Sequence, residues 1–201
     1  MTGSGFAKTL RSAQGGDEDA FRVLFRAVQP GLLRYLDVVA GELADDVAAD
    51  TWVSVVHSLR RFAGDESGFS AWVFTIARAR LRDEQRRLYR RPRPVDPAQL
   101  LVDSSTGPDP ADQAVETAGT VAAIALIATL PPEQAEVVLL RHVVGFDVAQ
   151  TAQILGKRPG AARVASHRGL ARLRTALGGD AELPAGTAVT NPRFRAIGGV
   201  T

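Results

Sequence analysis

Between Lys157 and Arg174 the chain carries six Lys and Arg side chains, at 157, 158, 163, 168, 172 and 174, and no Asp or Glu. Guanidinium groups pair with phosphate oxygens and guanine edges through two parallel hydrogen bonds, so cations at this density point to nucleic acid. His167 follows Arg163 by four residues, a spacing that returns to the same face of a helix. The elements that must hold these groups are legible around them. Asp147 is placed to cap a short helix, with Gln150 completing a capping box. Ala149, Ala152 and Leu155 repeat at helical spacing, and Gly156 supplies a turn. Pro159 suits the start of a second helix, because its missing N–H has no intrahelical partner there. Two short helices of this kind, the second cationic, make a helix-turn-helix whose second helix fits a DNA major groove.

A second cationic stretch runs from Arg78 to Arg93, with eight arginines (78, 80, 82, 86, 87, 90, 91, 93) against Asp83 and Glu84. An Arg-rich helix end is also an ordinary solvated terminus favoured by the helix dipole. Two such clusters in separate segments favour phosphate recognition. Upstream, ELADDVAADTW places Glu42, Asp45, Asp46 and Asp50 on one helix face. That face repels DNA and attracts a basic protein. Paired carboxylates also serve acid–base chemistry or metals, but His57, His142 and His167 are scattered, with no partner at ligand spacing, and there is no Cys. Nucleophile-elbow, P-loop and dinucleotide signatures are absent from the sequence. The expectation is a protein without catalytic residues, metal or cofactor, and not an enzyme.

At 201 residues, 45% hydrophobic and 23% charged, the chain has the composition of a soluble protein with one or two small domains. The N-terminus lacks the apolar core of a signal peptide. The apolar run Val121–Leu130 is too short to span a bilayer. A cytoplasmic protein is expected. Composition divides the chain into a small polar tail (1–16), expected to be disordered, a helical domain (17–93), an acidic linker (94–113), a second helical domain (114–177) and a Gly/Pro-rich tail (178–201). In the first domain Phe21, Leu24, Phe25 and Val28 form one apolar face. Pro30 and Gly31 are expected to break that helix. Phe69, Trp72, Val73 and Ile76 form the apolar face of a later one. Trp52 and Trp72 read as core; of Phe62 and Phe69, the sequence leaves open which is exposed. The fold class is all-α: two small helical domains joined by an acidic flexible linker.

Four stretches, in order, resemble a bacterial RNA polymerase sigma factor of the extracytoplasmic-function (ECF) group of the sigma-70 family. LADDVAADTWVSVV is similar to the region 2.2 pattern, with Asp46, Asp50, Thr51 and Trp52 matching. RFAGDESGFSAWVFTIARARLRDEQRR resembles regions 2.3 and 2.4. LPPEQAEVVLLRHVVGFDVAQTAQILG resembles the start of region 4, and GAARVASHRGLARLR its recognition helix. The resemblance implies a region 2 bundle and a region 4 helix-turn-helix, acting together as a transcription initiation factor.

It also implies roles at matching positions. Asp45, Asp46, Asp50 and Trp52 would dock on the clamp helices of the polymerase's largest subunit. Phe62, Asp65, Arg78, Arg80, Arg82, Arg86 and Arg87 would engage the −10 element as it melts. Lys157, Arg158, Arg163, Val164, His167 and Arg168 would hold the −35 duplex, the first two through phosphate. The acidic linker would thread the polymerase's active-centre and RNA-exit path. Core polymerase, promoter DNA and an anti-sigma factor are the implied partners, with no direct membrane insertion. Some positions depart from the family pattern: Ala79 stands where Asn is common, Val164 replaces a Ser, Ala165 an Arg, and Arg158 a capping Ser. The alternative is a stand-alone helix-turn-helix regulator, whose first domain would need a ligand pocket or acceptor Asp.

Overall fold

The computed structural model describes residues 3–90 and 118–178. The acidic linker 94–113, Arg91, Arg93 and all of the C-terminal tail after Gly178 lie outside the described residues. Among the described residues eight α-helices follow one another: α1 (Gly3–Gln14), α2 (Glu18–Ala40), α3 (Ala44–Ser58), α4 (Glu66–Arg90), α5 (Ala118–Ala128), α6 (Pro132–Val138), α7 (Val148–Leu155) and α8 (Pro159–Ala176). Short 3-10 turns, Gly41–Leu43 and Leu59–Arg61, precede and follow α3, and a π-helical turn, Leu139–Val144, extends α6.

Two expectations are corrected here. Residues 1–16 are not a disordered tail where described. Phe6, Leu10 and Ala13 recur at helical spacing and are buried, and Phe6 packs on Phe69 at 5.9 Å between ring centroids. Small polar residues between these apolar ones mask the pattern in the sequence. Nor does Pro30 end its helix: α2 runs unbroken to Ala40 and stops at Gly41, whose φ of 57° suits glycine. Interior proline costs about 3 kcal/mol through a lost hydrogen bond and a ring clash. Beyond it, however, Leu32, Tyr35 and Leu36 are fully buried. At roughly 1.5–3 kcal/mol for each large apolar side chain, their burial outweighs the break.

In the first half, α3 turns Val47, Ala48, Thr51, Trp52 and Val55 inward, and α4 buries Phe69, Val73, Ala77 and Leu81. Asp65 starts α4, accepting from the Gly68 N–H at 2.7 Å and the Ser67 hydroxyl at 3.1 Å. These bonds hold its carboxyl below the usual carboxylate range.

The two halves share one core. Phe74 of α4 meets Phe146 edge to face at 5.0 Å. Beside this pair, Glu136 of α6 receives Arg78 Nε at 2.6 Å, the same arginine's terminal nitrogen at 3.3 Å, and the Tyr35 hydroxyl at 2.7 Å. The Arg78 and Glu136 side chains are only 12% and 16% exposed. Burial, reinforced by the Glu136 carboxylate, pushes the Tyr35 phenol well above its ordinary range.

Removing one partner from a buried ion pair costs about 3–5 kcal/mol, because the other charge is stranded. Glu136→Ala is therefore expected to separate the halves, raising the radius of gyration in small-angle scattering. An apolar replacement of both partners, Glu136→Leu with Arg78→Met, is expected to restore the compact value. An unchanged radius for Glu136→Ala would show that this contact does not hold the halves together.

Candidate nucleic-acid interface

The helix-turn-helix forms as its punctuation predicts. Asp147 Oδ1 accepts from the Gln150 N–H at 2.8 Å, while Gln150 Oε1 accepts from the Asp147 N–H at 3.2 Å. Gly145 and Gly156 end the flanking helices in the left-handed region, with φ of 94° and 63°. Pro159 begins α8, and Arg158 stands at its N-cap without a side-chain cap bond.

Helix α8 sorts its residues by period. Ala162, Ala165, Ser166, Gly169 and Leu173 face inward, whereas Arg163, Val164, His167, Arg168 and Arg172 are exposed. Ala165 is thus a packing residue in this structure. Val164, half exposed, is the departure that lies on the outer face. Arg158 is exposed at the helix start, but Lys157 pairs with Glu133 at the start of α6. His142 Nε2 lies 3.2 Å from Ser166 Oγ, tying the turn after α6 to α8. Burial, and then the Arg141 charge, lower the His142 pKa and favour the neutral ring.

The second surface surrounds the loop between α3 and α4. A cavity of about 430 Å³ opens there, with Arg61, Phe62, Gly64, Gly68, Trp72 and Gln153 among its walls. The Phe62 ring centroid lies 4.9 Å from that of Trp72, in a tilted contact, and 5.4 Å from that of Phe69, edge to face. Phe69 is buried and Phe62 half-buried, which resolves the choice left open by the sequence. A Cβ on Gly64 would come within 2.9 Å of the Phe62 ring, so a larger residue there would have to displace that ring. An aromatic-walled recess flanked by cations suits an unstacked base.

The expected −10 cations divide. Arg80, Arg82, Arg86 and Arg87 are exposed along α4. Arg80 donates to Ser54 Oγ at 3.0 Å, and Arg86 and Arg87 make pairs with Asp83 and Glu84 at 3.6 and 3.2 Å. Exposed pairs of this kind are worth about 0–1 kcal/mol and yield readily to phosphate. Arg78 is different: engaged by Glu136, it does not lie with the exposed cations. Asp65 is at the loop, and its observed contacts are those of a helix cap.

On α3, Asp45, Asp46 and Asp50 are exposed together, with Val53 and Val56 more than half exposed beside them. Trp52 is not on that face. It is buried against Phe25 at 4.7 Å and Phe21 at 5.9 Å, and its indole N–H donates to Gln29 Oε1 at 2.6 Å. An indole so enclosed cannot dock on a partner surface, which corrects its assignment to polymerase binding in favour of its reading as core. Among the described residues, no group of three or more His, Cys, Asp and Glu could hold a metal, and no helix is long and apolar enough to cross a membrane.

The Sigma-70 region 2 family model matches residues 24–91, and the Sigma-70, region 4 model matches residues 120–173. The ECF RNA polymerase sigma factor ShbA of Streptomyces griseus is 36% identical over 176 residues, covering 82% of this chain and 91% of its own. The chain belongs to the ECF RNA polymerase sigma factors. Mycobacterium tuberculosis SigD, also named an ECF sigma factor, is 30% identical over 87% of this chain and 84% of its own length. The solved structure of the sigma factor RpoE bound to the anti-sigma factor NepR, from Bartonella quintana, shares the fold. It aligns with a TM-score of 0.60 at 21% identity, over 80% of this chain and 98% of that one.

As a sigma factor the chain is a transcription initiation factor that directs core RNA polymerase to promoters. The stand-alone regulator needed a sensor in the first half; Sigma-70 region 2 stands there instead. Sequence reasoning missed Arg61, Gln153 and the exposed Val53 and Val56. Arg61 precedes Phe62 directly and was open to inference. Gln153 reaches the loop only through contact between the halves.

Region 4 carries its own steric demand. A Cβ on Gly169 would lie 2.7 Å from Val138 Cγ2, between α8 and α6. Gly169→Ala gains about 1 kcal/mol in helix propensity but loses about 1–3 kcal/mol to overpacking. A net fall in melting temperature is expected, with recovery when Val138→Ala is added. Independent, additive effects of the two substitutions would rule out the close contact.

Proposed function

We propose that this sigma factor reads the −35 duplex with Arg163, Val164, His167 and Arg168 of α8, and accepts melted −10 DNA at the Phe62 recess and the arginines of α4. The observation that carries this reading is the outer face of α8, where four side chains matching the family's DNA positions are exposed together. Arg163 supplies a fork for a guanine edge, and His167 a ring nitrogen for a base or phosphate. Val164 offers only apolar contact, as a thymine methyl requires. Arg158, Arg168 and Arg172 set register through phosphate. Lys157 joins them once it exchanges Glu133 for a phosphate.

Asp45, Asp46 and Asp50, with Val53 and Val56, form the proposed dock for the clamp helices of the largest subunit. Apolar area supplies affinity there, and the carboxylates steer and orient a basic partner. In this reading the protein forms and breaks no covalent bond: it works in the cytoplasm by binding alone, and RNA synthesis belongs to the core enzyme. An anti-sigma factor is a further proposed partner, supported by the complex in which the related RpoE was solved.

Holoenzyme reconstituted with core polymerase tests these assignments. A bidentate arginine–guanine contact contributes about 1–3 kcal/mol of discrimination. Arg163→Ala and His167→Ala are each expected to relax −35 preference at one or two positions when transcripts made in vitro are sequenced. Unchanged promoter choice in both variants would refute the α8 assignment. Asp46→Lys with Asp50→Lys is expected to weaken core binding roughly tenfold at low salt, with the difference narrowing as salt screens the charges. Equal affinity at low salt would remove the dock from α3.

A further inference from the structure

Gln14 stands at the end of α1, outside the matched Sigma-70 region 2 segment. Its side-chain amide nitrogen donates to two backbone carbonyls, that of Leu59 at 2.9 Å and that of Phe62 at 2.8 Å. These carbonyls bracket the 3-10 turn that ends α3 and delivers Phe62 to the recess. Carbonyls at a helix end have no intrahelical donor, and where they turn from water a side chain must supply one. The turn's own bond is from the Phe62 N–H to the Leu59 carbonyl at 3.0 Å. Gln14 joins the same two residues from outside.

The clamp is itself braced. Leu10 and Ala13 are buried, and Phe6 packs on Phe69, whose ring touches Phe62. The chain then turns sharply into α2, with Gly15 and Gly16 bonded back to α1. Phe62 is therefore fixed by its backbone through Gln14 and by its ring through Phe69 and Trp72. On the far side, the Asp65 cap fixes the loop to α4.

We propose that α1 is part of the −10 reader and that Gln14 is a positioning residue, setting the Phe62 backbone so that the aromatic recess keeps the shape of an unstacked base. This rests on the −10 role proposed above for Phe62. A residue that merely capped α3 would affect stability alike with every DNA. A positioning residue affects the contrast between a base and no base.

The test uses holoenzyme and a promoter recovered by sequencing transcripts made in vitro by core polymerase with this chain. Single-stranded −10 oligonucleotides, each with one base replaced by an abasic site, give an affinity ratio at every position. Gln14→Glu preserves shape but cannot donate. It is expected to lower the ratio several-fold, up to about tenfold for one to two net hydrogen bonds, at the position where Phe62→Ala lowers it. Core affinity is expected to stay at the wild-type value. Gln14→Leu, which introduces no charge, is expected to do the same, covering the case in which the carboxylate disturbs folding. A ratio unchanged in both Gln14 variants while Phe62→Ala lowers it overturns the positioning role alone. If Phe62→Ala changes no ratio, the −10 reading fails and takes this inference with it.

Discussion

Glu136 is the point on which the arrangement of the two halves depends. Its carboxylate is enclosed between α2, α4 and α6 and holds the Arg78 guanidinium and the Tyr35 hydroxyl together. Two charges removed from water are tolerated only when each finds near-ideal partners. The same contact lies beside Phe74, which is seated on Phe146. Its formation also takes Arg78 out of the row of exposed cations on α4. In this arrangement the recess beside Phe62 is shaped in part by the second half of the chain, with Gln153 in its wall.

The aromatic cluster around Phe62 shows how a loop can be held in place without being fully buried. Phe6, Phe69 and Trp72 supply apolar contact, Gly64 gives the Phe62 ring room, and Gln14 and Asp65 satisfy backbone groups on either side. In the proposed −10 role such a loop gains little from flexibility, since ordering it on binding would oppose affinity. Its backbone bonds are already made before DNA arrives.

Charge is segregated by helix face. Exposed acids cluster on α3 beside exposed valines, whereas α8 exposes cations and no acid, and α4 exposes mainly arginines. The net charge of +2 conceals this division. Separate faces of opposite sign allow one small protein to attract a basic protein surface and a polyanion without either competing for the same groups.

Local sequence determined much of this protein. Asp147, Gln150, Gly156 and Pro159 specify the helix-turn-helix because caps and breakers act over three or four residues of chain. The period of α8 placed Arg163, His167 and Arg168 outward, and the acidic spacing placed Asp45, Asp46 and Asp50 on one face. Tertiary structure decided what depends on distant partners. Burial beyond Pro30 carried α2 past a helix breaker, and a neighbouring helix made α1 from residues that read as a tail. Trp52, already read as core from its apolar face, found its partners in Phe21, Phe25 and Gln29, and Arg78 was drawn inward by Glu136 across 58 residues of sequence. Side chains with one chemistry face water or core according to what folds against them, and periodicity along a single helix carries no record of that neighbour.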